Sequence, residues 1–327
     1  MELKNNSMKK ISIIIPCHNE EESLGILHSR LAKVIAGLEE EVEVIVIDDG
    51  STDGTWKKIA DIHNADGRWK AIRFSRNFGH QTAVSAGLDA VSGDAAIIMD
   101  ADLQDPPEII PEFIGKWREG YEVVYAVRRE RNENFVKKFF YSLFYNMLSV
   151  LTNNQIPKES GDFGLMDKKV VDQIRSMPEH NRFVRGLRAW VGFRQAGVEY
   201  KRDKRMAGAT QYTLKKLIKL AIDGFFSFSF LPLRAVTWLG IIVTVVSFAG
   251  AAFALLQMAL YVRCAHAGYG AVPKLPLTLI SIFFIGGVQM VCLGIIGEYI
   301  GRIYDEVRNR PLWVESERLG LSSRNKT

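Results

Sequence analysis

The sequence predicts an α/β domain with a mostly parallel sheet, followed by membrane helices. Three observations carry that expectation. Short apolar runs alternate with helical segments over residues 11–99, these runs end in clusters of acidic and turn-forming residues, and two long uncharged stretches lie beyond residue 234. Strand and helix in regular alternation place helices on the faces of a parallel sheet.

The elements follow in order. Ile11-Ser12-Ile13-Ile14-Ile15-Pro16 reads as a buried strand and residues 20–38 as a helix. Residues 42–47 form the second strand, which ends in Asp48-Asp49-Gly50-Ser51-Thr52-Asp53-Gly54, a turn dense in acids and glycines. A helix over 55–63 leads to a strand over 70–74. A further helix over 81–91 leads to the uncharged strand Ala95-Ala96-Ile97-Ile98-Met99.

That last strand opens the motif IIMDADLQDPPE. Alternate residues of an extended chain point the same way, so Asp100, Asp102 and Gln104 are expected to converge. Three hard oxygen donors suit Mg²⁺ or Mn²⁺, which in turn would hold a diphosphate. Asp105-Pro106-Pro107-Glu108 is also a good helix start, but capping needs one acid and leaves the others unexplained. The other strand ends carry Pro16-Cys17-His18-Asn19-Glu20, Asp48-Asp49-Gly50-Ser51 and Ser75-Arg76-Asn77-Phe78-Gly79-His80. Each alone is ordinary turn chemistry. Together on one carboxyl edge they offer carboxylates for ribose or base, an arginine for phosphate and acids for a metal, where open α/β sheets hold ligands. The sequence has no Gly-x-Gly-x-x-Gly fingerprint, which argues against a dinucleotide-dependent dehydrogenase.

Residues 235–262 and 275–297 are runs of 28 and 23 residues without a formal charge. Helices of that length span about 42 and 35 Å, enough for a hydrocarbon core of about 30 Å. Lys215, Lys216, Lys219 and Arg234 precede the first run, and Arg302, Arg308 and Arg310 follow the second. The connecting loop has only Arg263, His266 and Lys274, so both termini are expected in the cytosol. No cleavable signal peptide is evident. Residues 135–145 read as an interfacial or a core-packing helix, and 212–220, with three lysines, as a second amphipathic segment. Gly286-Gly287 and Gly294-x-x-Gly297 permit close helix packing, within the hairpin or in a homo-oligomer.

A net charge of +5 over 327 residues, with basic residues beside the spans, points to anionic lipid. No basic stripe, helix-turn-helix or zinc-finger pattern suggests nucleic acid. Cys17, Cys264 and Cys292 give neither a disulfide framework nor zinc spacing.

IIIPCHNEEESL, VIVIDDGSTDGT, SRNFGHQTAVSAGLDAVSGD and MDADLQDPPE resemble the family 2 glycosyltransferases with a GT-A fold. With SGDFGLMDKKVVD, RMAGATQY and the paired spans, the chain is similar to the polyisoprenyl-phosphate glycosyltransferases. Within these it is most like the bactoprenol glucosyltransferases of bacterial O-antigen modification, with dolichol-phosphate mannose synthases related. The resemblance implies a GT-A catalytic domain over 1–210, a juxtamembrane segment over 211–233, a membrane hairpin over 234–303 (spans about 235–262 and 275–300) and a tail over 304–327. It implies that Asp100, Asp102 and Gln104 bind the metal, and that Pro16, Glu20, Asp48, Asp49, Arg76 and Asp100 line the nucleotide-sugar. Asp162 would lie at the acceptor end as base or positioning group, with Arg128 and Arg205 on the lipid phosphate. The activity implied is inverting transfer of a hexose, glucose from UDP-glucose being favoured, to undecaprenyl or another polyisoprenyl phosphate. The enzyme would sit in the bacterial inner membrane with its catalytic domain in the cytosol. N-Acetylglucosamine, galactose, mannose and aminoarabinose stay open as sugars. A processive polysaccharide synthase is disfavoured because the chain lacks Gln-x-x-Arg-Trp. His18 stands where the family often has Tyr, and Thr210-Gln211 where it usually has Ser-Lys.

Overall fold

The computed structural model describes residues 8–128, 160–180, 182–200, parts of 236–256 and 275–322. These fall into two compact units, residues 1–224 with 310–327, and residues 225–309.

The first unit is built on an eight-stranded sheet. Its strands and helices are β1 (Lys10–Cys17), α1 (Glu21–Ala36), β2 (Glu41–Asp48), α2 (Thr55–Ala65), β3 (Trp69–Phe74), α3 (His80–Ala90) and β4 (Ala95–Ile98). A 3₁₀ turn at Pro107–Ile109 then enters α4 (Ile110–Arg118), followed by β5 (Val123–Arg128), β6 (Ser160–Asp167), α5 (Lys168–Ser176), α6 (Val184–Trp190) and β7 (Gln195–Tyr200). The order is β7-β5-β6-β4-β1-β2-β3-β8, where β8 is Glu315–Leu319. β1, β2, β3 and β4 are parallel, β6 runs antiparallel between β4 and β5, and β7 is parallel to β5.

The central strands are apolar on both faces because helices cover both. Ile11, Ile13, Ile15, Val44, Val46 and Ile97 share one core with Leu24, Leu27 and Leu31 of α1 and with Phe113 of α4. The chain passes from β1 outward to β2 and β3, then returns to the other side of β1 for β4. Such a reversal opens a crevice at the carboxyl ends of β1 and β4.

Two expectations change. The acidic motif is not extended: after β4 the chain turns, with Leu103 at φ 60° and the Asp102 Oδ1 accepting from Gln104 N at 3.1 Å. Alternation along a strand therefore does not bring Asp100, Asp102 and Gln104 together; the turn sets them. Asp105 precedes the 3₁₀ turn at Pro107–Ile109, where the Asp-Pro-Pro-Glu segment suggests a helix start. It is buried and accepts a hydrogen bond from the Tyr200 hydroxyl. Asp162 lies in β6, and Asp167 at that strand's end caps α5, accepting from Lys169 N at 2.9 Å. Finally, residues after the apolar helix are not a bare tail: β8 pairs antiparallel with β3 and closes that edge of the sheet.

In the second unit, α7 (Leu275–Arg308) is 34 residues long. Its stretch Phe284–Arg308 is, among the described residues, the one helix long and apolar enough to cross a membrane. Phe284, Met290, Leu293 and Ile300 are exposed along it. Of the first expected span, parts of 236–256 are described, with Trp238–Gly250 an apolar helix shorter than the crossing length, so two spans are not established.

Candidate active site

The crevice is built from four strand ends. At the end of β1, Asn19 adopts φ 58°, a left-handed backbone that Asn tolerates better than most residues. It stitches two loops together: its N–H donates to Ser51 Oγ at 2.9 Å, and its Oδ1 accepts from Thr52 N at 2.9 Å. Glu20 N donates to Thr55 Oγ1, while Glu20 Oε2 accepts from Ser23 Oγ at 2.7 Å. Gly50, at φ 64°, must be glycine, since a Cβ there would lie 2.3 Å from the Arg76 carbonyl carbon.

Asp48, fully buried at the end of β2, accepts from Ser51 N at 3.0 Å through Oδ1. Its Oδ2 has no hydrogen bond and faces Arg73 Nε at 3.4 Å as an ion pair. Asp49 ties the loop after β2 to the next one. Its two oxygens accept from Phe78 N at 2.6 Å and Gly79 N at 2.9 Å, so it clamps the β3–α3 loop. Burial raises its carboxyl above the usual range despite those bonds. Arg76 folds over its own loop, its guanidinium 4.0 Å from the Phe78 ring and donating to the Asn77 carbonyl. Pro16 lies inside β1, in register with Ile47.

At the end of β4, burial pushes the Asp100 carboxyl up to about 6, with Asp105, Asp102 and Asp162 adding to the rise and His80 opposing it. Crowded acids of this kind are what a divalent cation would relieve. Among the described residues no three His, Cys, Asp or Glu side chains are grouped to enclose a metal. Mg²⁺ is commonly held by one or two carboxylates plus substrate phosphates, and the Asp100–Asp102 pair fits that pattern.

β6 runs the other way, so its first residues lie beside the carboxyl end of β4: Gly164 is in register with Ile98, which sets Asp162 just beyond, level with Asp100. Asp162 is held on three sides. Arg185 Nε donates to Oδ1 at 3.2 Å, Gln81 Nε2 donates to Oδ2 at 3.2 Å, and His80 Nε2 stands 3.5 Å from Oδ2. Burial works against its charge, but Arg185 and then His80 outweigh that and hold the carboxyl well below the usual range. A carboxylate so placed is a poor base and a good anchor. His80 Nε2 also lies 3.8 Å from Asp100 Oδ1. Burial disfavours its imidazolium, yet Asp100 and Asp162 together push it up to about 9. Gln81 Oε1 accepts from Val184 N at 2.9 Å, tying α3 to α6. Arg188, buried, donates to the Gly161 carbonyl at 3.2 Å.

The structure thus gathers Glu20, Asp48, Asp100, Asp102 and Asp162 along one edge, with Arg128 at the end of β5 on the same edge. Arg205 lies outside the described residues, as does the 211–233 segment. Gln81, Arg185 and Arg188 were not foreseen, and His80 only as the last residue of a loaded strand end. The signal for the arginines was Val184-Arg185-Gly186-Leu187-Arg188, two arginines three apart in an otherwise apolar helix, which calls for acidic or carbonyl partners inside.

A mostly parallel sheet with a reversed strand beside the acidic loop is the GT-A glycosyltransferase architecture. The match to known proteins agrees: residues 12–175 fit the model of Glycosyl transferase family 2. The chain is 45% identical over 313 residues to an uncharacterized glycosyltransferase of Synechocystis, covering 95% of this chain and 96% of that one. It is 40% identical over 306 residues to a prophage bactoprenol glucosyl transferase homolog of Escherichia coli, covering 93% and 98%. It is 39% identical over 306 residues to the bactoprenol glucosyl transferase of Shigella phage SfII, covering 93% and 97%. The chain belongs to glycosyl transferase family 2.

Proposed function

We propose that this enzyme transfers a hexose, glucose from UDP-glucose being the leading donor, to a polyisoprenyl phosphate such as undecaprenyl phosphate. The observation that carries the reading is the order of groups along the sheet edge. Asp48 and Glu20 lie on the β2 and β1 side, Asp100 and Asp102 follow just past the end of β4, and Asp162 comes next on β6, with Arg185 of α6 and His80 of α3 against it. That order suits nucleoside, diphosphate and acceptor in sequence. The relatives named for bactoprenol glucosyl transfer support the lipid acceptor, and α7 supplies an apolar helix for a membrane location.

The acceptor is itself a phosphate monoester, largely dianionic at neutral pH. Its oxygen attacks the anomeric carbon, the bond from that carbon to the diphosphate breaks with its electron pair leaving on the nucleotide, and configuration inverts. Little deprotonation is required, which agrees with Asp162 acting as an ion-paired anchor. Asp100 and Asp102, with Gln104 as a third candidate, would hold Mg²⁺ or Mn²⁺, whose charge stabilises the departing diphosphate. The chain's own residues then have the task of alignment: Glu20 and Asp48 on the nucleoside, the Asp162 cluster beyond the reacting carbon. The domain bounds and the cytosolic placement of the catalytic unit, inferred from the flanking charges, belong to the same proposal.

The test uses the full chain in detergent with undecaprenyl phosphate, Mg²⁺ or Mn²⁺ and radiolabelled UDP- and GDP-sugars. Label entering the organic phase from one donor, lost with EDTA and with Asp102→Asn, establishes the reaction and the sugar. Absence of transfer from every donor while UDP still binds would remove the lipid-phosphate acceptor. Spheroplast proteolysis that spares the catalytic domain from outside supports the cytosolic placement.

A further inference from the structure

We propose that Arg185, fixed in place by Asp162, is the contact for the acceptor's phosphate monoester; this rests on the lipid-phosphate reading above. Three observations converge. The first is position. Arg185, on α6, is paired with Asp162 of β6, the strand next to β4 on the side away from Asp48, with Arg128 one strand further out. A group reaching the sugar from the side opposite the nucleoside therefore passes Arg185 before it reaches Asp100.

The second is charge. Asp100, Asp102, Asp105 and Asp162 crowd this end of the crevice, and the other three all bear on Asp100. A dianionic phosphate entering here needs a fixed cation. Two arginines of α6 are candidates, and they differ in placement. Arg188 is 4% exposed and donates to a backbone carbonyl, so it is part of the wall. The Arg185 side chain keeps 20% of its surface accessible while its Nε is set against Asp162. A guanidinium has five donors arranged in a planar fork, which suits phosphate oxygens.

The third is preorganisation. Arg185 follows Val184, whose N–H is bound by Gln81, and Gln81 also donates to Asp162. The arginine is thereby referenced to α3 and β6 at once, so little side-chain freedom remains to be lost on binding. Asp162 is then a positioning residue for this arginine.

The experiment varies donor and undecaprenyl phosphate separately in steady state, with folding followed by thermal melting. For Arg185→Gln we expect the KM for lipid phosphate to rise about tenfold, the equivalent of roughly 1.4 kcal/mol, with the donor KM changed less than about twofold. Arg185→Lys keeps the charge but not the fork and should fall between. Since Arg185→Gln takes from Asp162 one of its two cationic partners, Arg185→Gln with Asp162→Asn is the second variant: it should regain melting temperature but not the acceptor KM. An unchanged acceptor KM, or a rise confined to the donor KM, overturns the inference while leaving the proposed reaction intact. So does recovery of the acceptor KM in the double variant, since Arg185 would then serve only to neutralise Asp162. If the unmodified enzyme transfers nothing to undecaprenyl phosphate, the acceptor reading fails and this inference fails with it.

Discussion

The two edges of the sheet treat buried acids in opposite ways. At the amino edge, Glu43 is buried but fully matched: Ser12 and Ser92 donate to Oε1, and Lys70 and Lys10 stand 2.7 and 3.2 Å from Oε2. Burial opposes its charge, but the hydrogen bonds from Lys70, Ser12 and Ser92 prevail and lower it to about 2. At the carboxyl edge, Asp100 sits among three other acids and is raised, and Asp48 keeps an oxygen without a hydrogen bond. A matched acid holds the fold together, and a carboxyl raised by burial and neighbouring acids marks where a ligand's charge belongs.

The largest expected effect tests that contrast from the carboxyl side. Asp100→Asn should lower kcat/KM roughly 10³-fold, about 4 kcal/mol of transition-state stabilisation, in the lipid-transfer assay. Thermal melting should show the variant no less stable, because the change removes one of four crowded acids. A clear fall in melting temperature would mean that Asp100 is a structural group like Glu43.

From the amino side the expectation inverts. Glu43→Ala leaves Lys70 and both serines without their acceptor and should cost about 3 kcal/mol, read from urea unfolding. Activity per folded molecule should be unchanged. The pH dependence sharpens the point. Glu43 is depressed from 4.5 to about 2 in the fold, so its stabilisation is complete above about pH 4.5 and is lost as pH falls toward 2. In Glu43→Gln that part of the acid-side slope should vanish; an identical slope would place the acid sensitivity elsewhere.

The same contrast explains what the sequence made legible. The central strands and helices could be read closely, because a parallel sheet covered on both faces writes itself as short apolar runs. The strand expected over 42–47 is Glu41–Asp48, and the helix expected over 81–91 is His80–Ala90. The loaded strand ends could be read for the same reason. The Asp162 cluster could not, since Gln81, Asp162 and Arg185 come together only because β6 reverses direction beside β4. Nor could β8: Glu315-Ser316-Glu317-Arg318-Leu319 has one apolar residue and owes its conformation to its partner β3. An edge strand held by pairing and charge leaves little hydrophobic pattern.

That strand carries the smallest prediction, and it links fold to site. Glu317 accepts from Arg73 Nη1 at 2.8 Å and from Trp56 Nε1 at 3.0 Å, and Arg73 is the ion-pair partner of Asp48. Trp313 stacks on Phe74, which meets Phe78 edge-on in the loop that Asp49 clamps. Residues that follow the apolar helix therefore brace two acids of the nucleoside side. The Glu317 side chain is half-exposed, so its ion pair contributes at most about 1 kcal/mol. Glu317→Gln should weaken UDP binding only about two- to threefold, below 1 kcal/mol, with kcat and melting temperature nearly constant by calorimetry and assay. A tenfold loss would make β8 an integral wall of the nucleotide pocket. No change would mean that Ser51 N–H alone sets Asp48, and that Arg73 answers to the acid without help from the strand beyond it.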